Sequence, residues 1–259
     1  MKRVQINTEY KDYTKFNQFI HNLPSLFDKQ GKTLYQERNT IKLFEIDGLS
    51  FVVKRFKRPL LVQRIAYSFF RPTKVSRAYQ HAHLLRLRGF ETPQEMASVE
   101  VWKNGLFQDG YLATEVITDN PIAHLLARED ETFSEKLAEQ FAYFVADLHL
   151  KGILHEDLNS TNVLYREQNG KVIFSLIDIN RMTFYPEGKV PSQKDCLNNL
   201  NRFTGNYSLF EFVTRAYARK RGWNEDEIAK EALNMKETHD VRRIKKKNFF
   251  KKFKRNKSK

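Results

Sequence analysis

Residues 155–182 read HEDLNSTNVLYREQNGKVIFSLIDINRM, and the fold turns on how this stretch is read. It opens with a His-x-Asp-Leu loop, and Asn162 follows Asp157 by five positions. An apolar triplet, a Gly-centred turn and a β-rich run, Val172 to Ile177, then lead to Asp178. One loop thus supplies Asp157 and Asn162, and a strand end supplies Asp178. Two carboxylates and an amide gathered in this order suit phosphoryl transfer. One residue takes or orients a substrate hydroxyl, and the other two offer hard oxygen donors to magnesium on a nucleotide's phosphates. Upstream, Ser134 opens an expected helix whose apolar residues Leu137, Phe141, Phe144, Val145 and Leu148 fall at helical spacing, and Lys151-Gly152 closes it before the loop.

The strands expected to serve this loop lie about a hundred residues earlier. Residues 32–56 alternate apolar and polar positions around two turns, one near Arg38-Asn39 and one at Asp47-Gly48, so three antiparallel strands are expected. The third ends in Phe51-Val52-Val53-Lys54. A Lys at the end of an apolar strand ends many edge strands for solubility. Ahead of a His-x-Asp loop it also stands where a kinase holds the α- and β-phosphates. A helix is expected over Arg77 to Arg88, stopped by Gly89. Strand character returns over residues 96–118 with a turn at Asn104-Gly105, and the run YLATEVIT ends in a polar break at Asp119-Asn120-Pro121, as at a hinge between lobes. After Met182, helices are expected over Asp195 to Phe203, Phe210 to Lys220 and Glu225 to Met235, the last capped by Asn224.

Composition bounds the rest. A chain of 259 residues, 41% hydrophobic and 29% charged, can bury a sizeable core. A single cysteine, Cys196, excludes an internal disulfide and fits a reducing compartment. No secretory signal and no run near the ~18 apolar residues of a membrane span is evident, so a cytoplasmic protein, at most peripheral on a membrane, is expected. The formal charge is +14, yet residues 241–259 carry eleven Lys or Arg and no acid, which leaves +3 for the remainder. A second acid-free segment runs from Lys54 to Arg88, its cations interleaved with Phe56, Tyr67, Phe69 and Phe70. It reads either as a solvated helix face with core aromatics or as a surface for an anionic substrate or membrane headgroups.

Taken together, ERNTIKLFEIDGLSFVVKRF, SRAYQHAHLLRLRGFETPQEMA, LHLKGILHEDLNSTNVL and LIDINRM resemble the lipopolysaccharide kinases of the Kdo/WaaP type, small relatives of protein kinases, over roughly residues 30–225. The resemblance implies an α+β, two-lobed, protein-kinase-like fold. An N-lobe over residues 1–118 would hold an antiparallel sheet plus a helix. A mostly helical C-lobe would span 119–241, and a basic aromatic tail 242–259. It also implies ATP with magnesium, and phosphorylation of a Kdo (3-deoxy-octulosonic acid) or heptose hydroxyl in a lipopolysaccharide precursor. Carried over by position, Asp157 would accept or orient the hydroxyl, and Asn162 and Asp178 would hold magnesium. Lys54 would contact the phosphates, with Asn39, Glu115 and Ile117 also bordering the nucleotide. His155 is expected to hold the loop rather than act as a base.

Two departures set the chain apart from ordinary protein kinases. No acid lies between Val75 and Arg88, and Gln80 stands near the place of the usual Glu partner of the strand Lys. No G-x-G-x-x-G covers the phosphates, and the triplet Asp178-Ile179-Asn180 lacks the usual Gly. A kinase for another small molecule or for protein, and a nucleotide-binding pseudokinase without turnover, are the rival readings. The tail RRIKKKNFFKKFKRNKSK, interrupted by Phe249, Phe250 and Phe253, is expected to meet an anionic membrane rather than nucleic acid.

Overall fold

The structure is a computed structural model that describes residues 1–124, 126 and 133–255. The chain divides into two compact units: residues 1–119 with 175–181, and residues 120–174 with 182–259.

The first unit is built on a six-stranded antiparallel sheet. Its strands are β1 (Lys2–Ile6), β2 (Lys32–Gln36), β3 (Thr40–Ile46), β4 (Leu49–Arg55), β5 (Glu95–Lys103) and β6 (Leu106–Glu115), in the order β1-β5-β6-β4-β3-β2. The hairpins form at the expected turns. Asp47-Gly48 and Asn104-Gly105 adopt positive φ at both positions, as a two-residue turn matched to strand twist requires. Ahead of the hairpins, β1 pairs with β5 almost a hundred residues away, Val4 opposite Val99. Helix α1 (Thr14–Leu26) then lays Phe16, Phe19, Ile20 and Leu23 under the sheet. These rings meet Phe44 and Phe51, with Phe16 edge-on to Phe51 at 5.0 Å and Phe44 stacked on Phe51 at 5.8 Å. Each such pair contributes about 0.5–1.5 kcal/mol beyond its buried area.

Two helices sit on the connection between β4 and β5. Helix α2 (Leu61–Phe69) buries Tyr67 with Trp102 and Phe107, and the Arg64 side chain donates to the Phe107 carbonyl at 2.9 Å. Helix α3 (Lys74–Leu87) begins three residues before the expected start, because the Thr73 hydroxyl accepts from the Ser76 N–H and caps it. Its Val75 lies so close to β6 that a Cβ at Gly110 would come within 2.9 Å of it, so position 110 admits no side chain without displacement.

The second unit carries short strands β7 (Asn120–Pro121), β8 (Ile153–His155), β9 (Val163–Gln168) and β11 (Met182–Phe184) and the first four residues of β10 (Lys171–Leu176), with helix α4 (Glu135–Leu150) preceding the loop. Strands β10, β9 and β7 form one sheet, and β11 pairs with β8. Ser134 caps α4 by accepting from the Leu137 N–H. Helices α5 (Gln193–Leu200), α6 (Tyr207–Arg221) and α7 (Glu225–Arg255) follow. Gly222 ends α6 in the left-handed conformation, φ +68°. The last helix is corrected: expected to stop at Met235, it continues to Arg255, so the basic segment from Arg242 begins as its further turns. Phe249, Phe250 and Phe253 lie outside the residues whose side chains are described. Among the described residues no helix is long and apolar enough to cross a membrane.

Candidate active site

In the second unit, the loop after β8 is fixed from several sides. His155 is fully buried, its Nδ1 accepts the Asp157 N–H at 3.2 Å, and its carbonyl accepts the Asn199 amide at 2.9 Å and the Leu158 N–H at 2.9 Å. Leu158 is buried beneath the loop as its apolar anchor. Asn162 donates from Nδ2 to the Asp157 carbonyl at 2.9 Å, joining two of the residues singled out in the sequence. With that nitrogen committed, Asn162 has its amide oxygen to offer a cation. Arg202 Nη1 binds the Glu156 carbonyl at 3.1 Å and stands 3.6 Å from Asp157 Oδ1. The Asp157 side chain is about one-third exposed, so a solute can reach its carboxylate.

The pinning extends into the helices. Asn199 Oδ1 lies 3.1 Å from His149 Nε2, and His149 Nδ1 lies 2.9 Å from the Tyr217 hydroxyl. A neutral imidazole satisfies both, donating to the amide oxygen and accepting from the phenol. Burial pushes the His149 pKa down to about 4, with the Arg221 charge acting the same way and the Asn199 bond opposing. Burial also holds the Tyr217 hydroxyl protonated. A buried chain of polar groups thus runs from α6 through α4 and α5 to the backbone of the loop after β8.

In the first unit, Lys54 Nζ lies 2.8 Å from Asp178 Oδ1. This settles where the Lys finds its acid: the partner is the carboxylate after β10, while Gln80 is exposed on α3. Asp178 has φ +55°. The other non-glycine residues with positive φ among those described, Asp47, Asn104 and Asn169, each precede a turn glycine. Asp178 alone takes this conformation outside a hairpin, a strain of about 1–2 kcal/mol that persists only where the surroundings enforce it. Part of the enforcement is Asn180, whose Nδ2 donates to the same Oδ1 at 2.9 Å from a short 3-10 turn, Ile179–Arg181. His81 of α3 contacts the Ile179 carbonyl at 2.8 Å. Asn180 supplies by side chain what the missing glycine would have left to backbone freedom.

The remaining nucleotide candidates are engaged locally. Asn39 Oδ1 accepts the Lys57 N–H at 3.0 Å, fixing the loop before β3. Glu115 accepts the Tyr10 hydroxyl at 2.6 Å, and its own N–H goes to the Gln94 carbonyl. Ile117 lies half-buried beyond the end of β6. Sequence reasoning placed Lys74 only within the basic run between Lys54 and Arg88. Burial lowers its pKa first, then the charges of Arg38 and Arg181, while Asp178 opposes. Lys74 thus lies within electrostatic reach of Arg38, Arg181 and Asp178. Its only sequence signal was the basic run itself, since residues 38, 74 and 181 are far apart in the chain.

A solved structure described as WaaP in complex with acyl carrier protein is similar to this chain, with a TM-score of 0.61 and 15% identity over 94% of this chain and 98% of that one. At that identity the likeness shows the fold, which is protein-kinase-like. The family model described as lipopolysaccharide kinase (Kdo/WaaP) matches residues 31–225, a span that takes in Lys54, Asp157, Asn162 and Asp178. On that match the chain belongs to the lipopolysaccharide kinase (Kdo/WaaP) family, a family of phosphotransferases.

Proposed function

We propose that the protein is an ATP-dependent kinase acting on a sugar hydroxyl, of Kdo or heptose, in the inner core of a lipopolysaccharide precursor. The observation that carries this reading is the pinned loop that presents Asp157 with Asn162 bonded to its carbonyl. Phosphoryl transfer asks a protein for position and charge neutralisation more than for covalent chemistry. Asp157 orients the acceptor hydroxyl and receives its proton. The acceptor oxygen bonds to the γ-phosphorus as the bond from that phosphorus to the bridging oxygen breaks, and ADP leaves with the electron pair. Lys54 binds the phosphates, with Asn39 holding the loop near them and Glu115 and Ile117 bordering the nucleotide.

The donor chemistry fits magnesium. A carboxylate at Asp178 and an amide oxygen at Asn162 are the hard oxygen ligands that ion takes, its shell being completed by water and phosphate oxygens. Bound there, the ion would neutralise charge on the phosphates. Lys54 and Asn180 hold the Asp178 carboxylate in place meanwhile.

The acceptor is met at a membrane surface, on the inner face of the cytoplasmic membrane. Support comes from α2, which turns Tyr67 inward and leaves Leu61, Ile65 and Phe69, spaced by four, exposed beside Val62 and Phe70. Burying each such side chain in a lipid interface is worth about 1.5–3 kcal/mol. Lys57 and Arg71 flank the stripe, and each cation near an anionic surface adds about 1 kcal/mol. The basic segment from Arg242 adds to this attraction.

The test is transfer of labelled phosphate from ATP to Kdo-lipid A by the full-length protein, beside Asp157→Ala. Transfer that falls by about 100-fold or more in the variant supports the reading. Protein that binds ATP yet phosphorylates no core acceptor is a pseudokinase.

A further inference from the structure

Asp157 does not face neutral surroundings. It lines a cleft of about 470 Å³ together with Asn159, Arg202, His239, Arg242, Arg243 and Lys246. Four of these are permanent cations, and Asp157 is the one carboxylate among the lining residues. The cations come from two places. Arg202 follows α5 and is already held against the loop by the Glu156 carbonyl. His239, Arg242, Arg243 and Lys246 fall at i, i+3, i+4 and i+7 of α7, which is one face of a helix. The helix therefore turns a basic stripe toward the catalytic loop, and the charge of this segment is spent in part on the site.

Such a stripe is costly without a counter-charge. Arg242 and Arg243 are adjacent, Lys246 lies one turn on, and like charges at helical spacing repel. An anion bound among them relieves that repulsion, and guanidinium groups grip a carboxylate or phosphate through paired, charge-assisted bonds. A neutral acceptor would leave Asp157 as the one counter-charge among the four cations of the cleft.

We propose that this cleft is an acceptor site for an acidic glycoside. Arg202, Arg242, Arg243 and Lys246 bind an anionic group, a sugar carboxylate or a phosphate already on the glycolipid, and thereby bring a nearby hydroxyl to Asp157. The proposal rests on the reading of Asp157 as the residue that receives the acceptor hydroxyl. It adds a selection rule: acceptors must carry negative charge before they are phosphorylated. The Arg202 guanidinium, 3.6 Å from Asp157 Oδ1, ties the anion-binding cations to the carboxylate they serve.

The experiment uses the full chain, the double variant Arg242→Gln/Arg243→Gln, the single variant Lys246→Gln, and Lys230→Gln as an exposed control on the same helix away from the cleft. Initial rates are measured on Kdo-lipid A, on the same acceptor with its carboxylates methyl-esterified, and on the acceptor stripped of its phosphates. Binding of the deacylated, soluble form of each acceptor is measured by calorimetry without ATP. For the intact acceptor the double variant should raise KM and Kd about 30-fold or more, Lys246→Gln less, and Lys230→Gln not at all. Neutralising the bound group should weaken wild-type binding and abolish the difference between wild type and double variant. Whichever chemical change does so names the carboxylate or the phosphate as the source. Equal KM and Kd in wild type and double variant overturn the proposal. Tight, Arg-dependent binding with no transfer by any form would leave the anion site standing and remove the kinase reading.

Discussion

Acidification from about pH 7.5 to about pH 4.5 should loosen the second unit through one side chain, His149. Its imidazole is fully buried between Tyr217 and Asn199 and is neutral when folded. Unfolded, it titrates at the ordinary 6.5; folded, burial lowers this to about 4. The unfolded state therefore binds the proton first as pH falls. The stabilisation is complete above about 6.5, declines below it, and is lost once pH passes about 4. At about 1.4 kcal/mol per tenfold, the full displacement corresponds to about 3 kcal/mol, most of it gone by about pH 4.5. Carboxylates titrate over the same range, so the measurement is a double difference against His149→Gln, which has no proton to gain. Trp223 lies edge-on to Tyr217 in this unit, ring centroids 5.8 Å apart. In a Trp102→Phe background it reports urea unfolding of that unit alone. Wild type should lose about 2–3 kcal/mol more than His149→Gln on acidification. Identical pH slopes in the two proteins would refute the linkage. Because Asn199 also bonds the His155 carbonyl, acid should reach the catalytic loop before global unfolding, seen as faster amide exchange at Asp157 and Leu158.

Other consequences can be checked directly. Lys54→Met should raise the KM for ATP at least tenfold, yet shift stability by no more than about 1 kcal/mol, because the pair with Asp178 is partly solvated. Asp178→Asn should remove magnesium-dependent nucleotide binding, read by fluorescent nucleotide titration with and without the ion; unchanged affinity sinks the metal assignment. Leu61→Ser/Phe69→Ser alters exposed side chains, so melting should move little while partition onto anionic liposomes falls roughly tenfold or more.

What the sequence made legible follows how local each signal is. The hairpins at Asp47-Gly48 and Asn104-Gly105 declare themselves because two adjacent residues fix the backbone. The Ser134 cap and the Gly89 stop are local in the same way. The pairing of β1 was not legible, since a five-residue segment, Lys2–Ile6, shows only Val4 and Ile6 on one face and its partner β5 lies almost a hundred residues on. The spacing of Asp157 and Asn162 pointed to their joint use, and the loop does bond one to the other. The pairing of Lys54 with Asp178 was out of reach, because 124 residues separate them and no pattern in either neighbourhood encodes the meeting. The extent of α7 was missed for another reason. Its eleven basic residues oppose a helix by mutual repulsion, and intrinsic propensity of Lys and Arg for helix outweighs that where the charges are spread around the axis.

The departures from ordinary protein kinases are better explained by compensation than by decay. A pseudokinase reading needs the loss of the helix acid to strand Lys54, yet Lys54 has a carboxylate at 2.8 Å. It needs the loss of the glycine two places after Asp178 to release that Asp, yet Asn180 binds the same oxygen and Asp178 keeps a strained backbone outside any hairpin. A chain relieved of catalysis would relax that strain at no cost, since about 1–2 kcal/mol is gained by doing so. Retaining it, together with a one-third exposed Asp157 on a loop bonded through His155 and Asn199 to a buried histidine, is what a transferase site demands. The positive charge then divides by task. The stripe at 239, 242, 243 and 246 faces a site that must hold an anion in one orientation, which calls for arginine's fixed fork. The cations around α2 flank an apolar face and have only to attract a surface, for which lysine and arginine serve alike. Arg242→Lys/Arg243→Lys therefore separates the two tasks: it should cost acceptor affinity while leaving attraction to anionic liposomes unchanged.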